Sequence, residues 1–380
     1  MRKTAFFALL IILVLFAGCS KTTTTNNLYN YHTGSQGIEM SFIAGNPPAT
    51  MYSSNPMTIN MEVKNLGAYD LARSNICMFL SGYDPSMITF AYGQNDNFDY
   101  SLQSINKGTC EASFDNCPYS FDSGIYGEDR FLGKSVLSPN GGVDNVQWTS
   151  GDIQFSADEY KPIFQVTSCY RYMTEASLPV CIDPNPYLSV NQQKVCTVSD
   201  ISGGSQGAPV AVSKVEEDVS PSKDGFGPTV YFRVYVNNVG GGQVLAPDYD
   251  SISMAPTIIN DYQFPTYPSS YNVPNSLDDC SCGKLVFKDY DKVFIEAYLG
   301  GGTVAQSGGF PMTCYPQIIP LTKGQGSALC QVTLDDPTYG SSTAYTSQLN
   351  ILLRYGYTKS IVKQVTIKNT ARLTGNNPWD

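Results

Sequence analysis

Three short motifs occur twice in this chain and in the same order, and this repetition constrains the fold more than any other feature of the sequence. The first motif is an alternating apolar and polar segment that ends at an Asn-x-Gly turn, at residues 57–67 and 229–240. The second is a glycine-rich turn that leads into a strand, at residues 137–142 and 321–326. Alternation followed by a turn is typical of a half-buried strand.

The third motif is a Tyr-x-Tyr pair followed by an alternating apolar segment, at residues 170–182 and 355–367. Its two copies lie 185 residues apart, and those of the second motif lie 184 residues apart. Three matches in the same order, two of them with a nearly constant offset, predict two copies of one domain. Within the second motif, this offset matches Trp148 to Val332.

The third motif predicts a hairpin that closes each copy. Because side chains alternate along a strand, Tyr170 and Tyr172 share one face, and Val180 and Ile182 share a face of the returning strand. Residues 173–178 then form the hairpin loop. Strand-like segments throughout the chain are bounded by turn residues, with 33 Gly and 23 Pro in total. The sequence therefore predicts an all-β fold of two tandem antiparallel β-sandwiches.

We expect each sandwich to bury its own core, so that truncating a core side chain removes one unfolding transition and leaves the other. The first core is predicted to contain Val63, Trp148, Tyr170, Tyr172, Val180 and Ile182, and the second Val236, Val332, Tyr355, Tyr357, Val365 and Ile367. The predicted boundaries are a signal peptide at 1–18, a tether at 19–36, copy one at 37–200 with an insertion at 94–145, a linker at 201–208, copy two at 209–372 with an insertion at 246–282, and a tail at 373–380.

The motifs of each copy resemble a known family. Val-Lys-Asn-Leu-Gly at 63–67, followed by Leu-Ser-Pro-Asn-Gly-Gly at 137–142 before a strand that ends at Trp148, is similar to the CARDB-type domain. The second copy is similar at 236–240 and 321–326. The resemblance implies immunoglobulin-like β-sandwiches on a prokaryotic cell surface, associated with adhesion and without catalytic residues. Both copies depart from the family by their long insertions.

The N-terminus has the pattern of an export signal. Arg2 and Lys3 precede an apolar run at 5–17, which is shorter than the roughly 20 residues needed to span a bilayer. Leu-Phe-Ala-Gly-Cys at 15–19 resembles the lipobox of prokaryotic lipoproteins, which implies cleavage before Cys19 and a lipid on its sulfur. A plain secretory signal and an uncleaved anchor are the alternatives.

The residues after Cys19 form a polar tract of Ser, Lys, Thr and Asn, which is typical of a flexible tether. Lipid and tether together predict a protein of the cell envelope, anchored to the membrane and facing outside the cytoplasm.

The cysteine count agrees with export, because disulfides persist in oxidising compartments. Apart from Cys19, the 11 cysteines include these disulfide candidates: Cys77, Cys110, Cys117, Cys169, Cys181, Cys196, Cys280, Cys282, Cys314 and Cys330. Cys169 and Cys181 are symmetric about the predicted hairpin, Cys314 and Cys330 bracket a Lys-Gly turn, and Cys110 and Cys117 bracket a short loop. A zinc site around Cys280 and Cys282 is the alternative.

Charge and histidine content exclude several functions. The net charge of −10 argues against nucleic-acid binding, which requires a basic surface. His32 is the single histidine, whereas most hydrolytic triads and zinc sites need a well-placed one. Gly-Gly-Ser-Gln-Gly at 203–207 matches the pattern of a nucleophile elbow, which needs a strand before it and a helix after it, but the segment lies in the predicted linker between the copies. We therefore expect no enzyme, no cofactor and no metal.

The two long insertions are the predicted place of binding. Tyr262, Tyr267 and Tyr271 suit contact with a protein or a glycan, since each offers a flat ring with a polar tip. The alternative is that these rings pack the loop onto the sandwich. An Asp/Asn cluster near Asp96 offers oxygen atoms to calcium, although a solvated polar loop has the same composition.

These observations predict a lipid-anchored cell-surface protein with two immunoglobulin-like domains that acts as a binding or adhesion module. Its expected partners are the membrane, through a lipid at Cys19, and a cell-surface protein or glycan. A structural subunit of a sheath or filament is the alternative function, and an enzyme of the cell envelope is the third.

Overall fold

A computed structural model describes residues 31–72, 76–91, 130–184, 194–221, 227–246, 290–301, 309–334 and 344–370. Every regular element within these ranges is a β-strand, so the all-β prediction is confirmed. The strands are β1 (Ile38–Phe42), β2 (Thr50–Tyr52), β3 (Thr58–Asn65), β4 (Leu71–Ala72), β5 (Ile76–Ser81), β6 (Ile88–Ala91), β7 (Arg130–Phe131), β8 (Val143–Ile153), β9 (Glu159–Tyr160), β10 (Ile163–Ile182), β11 (Ile201–Ser202), β12 (Val210–Ser220), β13 (Thr229–Asn238), β14 (Gln243–Leu245), β15 (Lys292–Leu299), β16 (Phe310–Pro311), β17 (Thr313–Tyr315), β18 (Ile318–Pro320), β19 (Gln325–Thr333), β20 (Tyr345–Gln364) and β21 (Thr366–Lys368).

Three large sheets organise these strands. The first sheet has the order β1-β3-β8-β6 and comes from copy one, and the second sheet has the order β11-β12-β13-β19-β17 and comes from copy two. A shared sheet has the order β16-β15-β20-β10-β5, with β14 and β18 also attached, and takes strands from both copies. Small sheets β2-β21-β9 and β4-β7 complete the set. Strand alternation builds the sandwiches, since β3 and β13 each bury every second side chain.

The shared sheet is centred on two very long strands. Strands β10 and β20 have 20 residues each and pair antiparallel along their full length, from Ile163 opposite Gln364 to Ile182 opposite Tyr345. Tyr170 lies opposite Tyr357 in this ladder. The copies are therefore joined by an extensive backbone ladder.

The predicted hairpin at residues 173–178 is wrong. These residues continue β10 without a break and pair with 349–354 of β20. The physical reason lies in the composition, because Met-Thr-Glu-Ala-Ser-Leu contains no Gly, Pro, Asn or Asp for a tight turn. Cys169 and Cys181 therefore stand on one strand, separated by roughly 40 Å of extended chain, and cannot bond to each other.

Each long strand begins among the strands of its own copy and ends beside the other copy. Strand β10 first pairs with β5 of copy one, and near its end the Cys181 N–H donates to Glu217 Oε2 on β12 of copy two, at 3.3 Å. In the opposite direction, β21 follows β20 and pairs with β2 of copy one. The ends of the two long strands are thus exchanged between the copies.

The expectation of two separate cores is corrected by this exchange. The predicted core side chains are buried, except that Val332 is partly buried, but they belong to one continuous hydrophobic cluster. Ile182 lies with copy two and Ile367 with copy one, because each sits at the exchanged end of its strand. The domain boundaries themselves stay predictions.

Around the second motif, the correspondence between the copies that the strand pairing gives differs by two residues from the one that the sequence match predicted. Trp148 lies opposite Ile59, and Cys330 lies opposite Phe232. Ile59 and Phe232 each precede the asparagine of their Asn-x-Gly turn by six residues, so Cys330, not Val332, is the counterpart of Trp148. A shift of two residues keeps each side chain on the same face of the strand, so the predicted alternation of inward and outward side chains is still correct.

Candidate functional site

Several predicted site residues lie outside the described residues. They are Cys19, Asp96, Cys110, Cys117, Tyr262, Tyr267, Tyr271, Cys280 and Cys282. Lipidation at Cys19 and binding by the three tyrosines therefore stay predictions.

The geometry of two disulfides is described. Cys314 bonds to Cys330 and joins β17 to β19, as its spacing predicted. Cys181 bonds to Cys196 rather than to Cys169. Cys169 is itself disulfide-bonded, and the backbone of Cys77 lies directly opposite it in the shared sheet.

The repeated motifs meet one another at the middle of the shared sheet. In copy one, the Tyr172 hydroxyl donates to Asn65 Oδ1 at 3.4 Å, and a Cβ at Gly67 would overlap that hydroxyl. In copy two, the Tyr357 hydroxyl donates to Asn238 Oδ1 at 3.1 Å and accepts from the Gly242 N–H at 2.7 Å. The Asn-x-Gly turn and the Tyr-x-Tyr pair therefore form one structural unit, present twice.

The four tyrosines of these units form a buried cluster rather than a reactive site. Tyr170 accepts from the Ile38 N–H, and Tyr355 accepts from the Val210 N–H, each at 3.2 Å. Neighbouring ring centroids lie 5.7 to 6.4 Å apart. Burial raises the pKa of Tyr357 to about 12 and raises the pKa of Tyr170 well above its usual value. The hydroxyls therefore remain protonated and serve the packing of the sheet.

The Gly-x-Ser-x-Gly segment is a turn between β11 and β12. The Gly34 N–H donates to Ser205 Oγ at 3.1 Å, and the buried Gln206 accepts from the Val212 N–H at 3.0 Å. The segment is followed by β12 and not by a helix, so it has no nucleophile-elbow geometry. Within the described ranges, no group of three or more His, Cys, Asp or Glu side chains could hold a metal ion.

The outer face of the second sheet carries the candidate site. Alternation on β13 points Val230, Phe232 and Val234 into the core and leaves the residues between them outside. We name the site the tyrosine–arginine face and define it by Tyr231, Arg233, Tyr235, Leu329 and Tyr315. The pairing of β13 with β19 and of β19 with β17 brings these residues together, since Arg233 lies opposite Leu329, and Leu329 lies opposite Tyr315.

The face is partly exposed, and its Tyr231 and Tyr235 are half-buried. Tyr315 is 83% exposed and Leu329 is 39% exposed, and both are large hydrophobic side chains. The Arg233 side chain is 55% exposed. An apolar strip beside an arginine is thus presented to solvent on a rigid sheet.

A network of charged side chains borders this strip. Lys214 Nζ lies 2.7 Å from Asp200 Oδ2 and 2.8 Å from Glu216 Oε1. The Tyr235 hydroxyl donates to Glu216 Oε2 at 2.9 Å, and Arg233 Nε lies 4.0 Å from the same oxygen. Hydrogen bonds from Lys214 and Tyr235 lower the pKa of Glu216, so this carboxylate stays ionised. The network therefore combines two carboxylates with two cations in fixed positions.

The equivalent face of copy one has a different composition. The Asn-x-Gly turn aligns β13 with β3, and the ladder aligns β19 with β8. On this alignment, Tyr231, Arg233, Tyr235 and Leu329 correspond to Thr58, Asn60, Glu62 and Gln147. Because the same fold position carries only polar, non-aromatic residues in copy one, the sandwich does not require the aromatic residues of copy two. Sequence reasoning missed the face, although a comparison of the outward residues of the two copies could have found it.

The described residues contain no helix that is long and apolar enough to cross a membrane. No family model matches the chain, and no curated protein matches it. A solved structure titled BspA_C_mut is 12% identical and covers 87% of this chain and 96% of its own, at a TM-score of 0.14. That likeness carries no argument about fold or function. Fold and site together define an all-β, disulfide-bonded protein with an exposed aromatic face on one of its two repeats.

Proposed function

We propose that this protein is a lipid-anchored cell-surface protein whose two immunoglobulin-like sandwiches act as a binding or adhesion module. The lipobox resemblance and the polar tether support the anchor, and the disulfides fit an oxidising compartment outside the cytoplasm. The resemblance of both repeats to the CARDB-type domain supports adhesion.

The observation that carries the proposal is the difference between the outer faces of the two repeats. Tyrosine and arginine are enriched at binding surfaces, where they form most energetic hot spots. Copy two places two tyrosines, an arginine and a leucine where copy one is polar, and adds the exposed Tyr315 beside them. Tyr315 gains little stability from burial at its edge position, and recognition of a partner is the role that we propose for it.

The test is binding of the purified protein to isolated cell envelope. Tyr315→Ala and Arg233→Ala should each weaken binding, whereas Asn60→Ala at the equivalent position of copy one should not. Thermal unfolding should be unchanged in the two face variants, because Tyr315 and Arg233 lie on a sheet surface. The same measurement on Asn60→Ala, whose Oδ1 is buried, confirms that the control remains folded. Equal binding by the face variants and the control would contradict the proposal.

A further inference from the structure

The size of the tyrosine–arginine face restricts its ligand. From Tyr231 to Tyr235 the face runs about 13 Å along β13, at roughly 3.3 Å per residue. From β12 to β17 it spans three strand spacings, or about 14 Å. The resulting area is on the order of 200 Å², against roughly 800 Å² per partner in a stable protein–protein interface. A narrow ligand fits this area, and a folded partner protein does not.

The backbone at the centre of the face is committed to the sheet. Strand β13 pairs with β12 on one side and with β19 on the other along nearly its whole length. A peptide could therefore add as a strand only beside β17, the edge strand of this sheet, and not over β13. A peptide lying flat over β13 and β19 gains no backbone hydrogen bonds from the sheet, whereas the hydroxyl groups of a saccharide can bond the charged side chains of the face.

The charges of the face favour a neutral ligand. Asp200 and Glu216 balance Lys214 and Arg233, and the exposed Asp218, which lies opposite Tyr231, adds one negative charge to the face. The whole chain has a net charge of −10, so it repels an anionic polymer at long range. A neutral ligand that carries both hydrogen-bond donors and acceptors matches a network of fixed carboxylates and cations.

We propose that the tyrosine–arginine face binds a neutral polysaccharide, an inference that rests on the proposed function and names its ligand class. Tyr315 and Leu329 pack against the apolar face of a sugar ring. The Arg233 guanidinium donates to ring hydroxyl groups through its planar fork. Glu216 accepts from a neighbouring hydroxyl group, and its position is fixed by Lys214 and Tyr235.

Affinity electrophoresis of the purified full-length protein tests this inference, with soluble glucan, mannan, galactan and xylan as separate neutral probes and polygalacturonate as the anionic probe. We expect retardation by at least one neutral probe, retained at 0.5 M NaCl because no ion pair with the ligand forms. Tyr315→Ala and Arg233→Ala should weaken this binding by about tenfold or more. Arg233→Lys, which keeps the charge but loses the fork, should also weaken it, and Asn60→Ala should not.

Three results would overturn the inference: no retardation by any of the four neutral probes, retardation by polygalacturonate alone, or equal retardation of face variants and control. Binding to isolated cell envelope distinguishes failure of this inference from failure of the proposed function. Envelope binding that depends on Tyr315 and Arg233, without binding to a neutral polysaccharide, overturns the inference and leaves the proposed function standing. Absence of both kinds of binding overturns both.

Discussion

Glu217 is a half-buried carboxyl group on the inner side of β12. Its Oε2 accepts from the Cys181 N–H at 3.3 Å, and its Oε1 is buried without a hydrogen-bond partner in the described part of the chain. Burial raises the pKa of Glu217 to about 7, while the single hydrogen bond opposes that rise. The group lies where the exchanged end of β10 meets copy two, so its ionisation acts on the junction between the copies.

Glu217→Gln is expected to stabilise the protein at pH 8 and to have little effect at pH 4. In the unfolded chain the pKa is about 4.3, so between that pH and 7 the folded state holds a proton that the unfolded state has lost. The free energy of unfolding therefore falls as pH rises through this window, and the loss persists above pH 7. The glutamine variant should recover about 1–2 kcal/mol at pH 8, a value reduced for partial exposure of the carboxyl.

Urea unfolding of the native protein and the Glu217→Gln variant at both pH values measures this difference. The comparison within each pH isolates Glu217 from the other titrating groups. An equal difference between the two proteins at pH 4 and pH 8 would show that ionisation of Glu217 is not its cause.

At the scale of elements, the continuous strand β10 replaces the hairpin that the sequence suggested. Glu175 lies in mid-strand, opposite Leu352 of β20. Glu175→Pro should destabilise the protein by more than about 1 kcal/mol, because proline fixes φ at about −65°, far from the φ of about −140° in a regular antiparallel strand. Glu175→Ala is the matched control, since it removes the side chain and keeps the backbone N–H. Chemical denaturation that finds both variants equally stable would support a loop at residues 173–178 instead.

The same elements show how far sequence reasoning reaches. Alternation identified β3 and β13, and it gave the inward direction of Val63, Val236, Tyr170 and Tyr355. It could not identify the partner of β10, because pairing with β20 joins residues more than 160 positions apart and leaves no local pattern. The face around Arg233 was missed for a related reason: alternation shows which side chains point outward but not what they bind.

At the scale of the whole molecule, the shared sheet couples the two copies. Ile182 and Ile367 are fully buried at the exchanged ends of the long strands. Calorimetry should therefore find one cooperative transition, shifted to lower temperature by either Ile182→Ala or Ile367→Ala. Each truncation should cost about 2–5 kcal/mol through lost burial and a cavity. Two transitions, one of them unmoved by each variant, would indicate independent domains.

Attachment to the membrane through Cys19 is a prediction at the scale of the whole chain. Cys19→Ser removes the sulfur that would carry the lipid, so the folded body should be released into the medium or remain unprocessed. Fractionation of cells that express the variant measures this directly. A variant that stays in the membrane fraction after normal processing would contradict lipid anchoring.

The central claim is that the outer face of copy two, and not the insertion that contains Tyr262, Tyr267 and Tyr271, contacts the partner. Hydroxyl-radical footprinting of the protein, free and bound to isolated envelope, tests it most directly. The account predicts that binding reduces the oxidation of Tyr315. Oxidation of Tyr52, which is 45% exposed and lies on β2 outside the tyrosine–arginine face, should stay unchanged. Protection of Tyr262, Tyr267 and Tyr271 with Tyr315 unchanged would contradict it and place binding in the insertion.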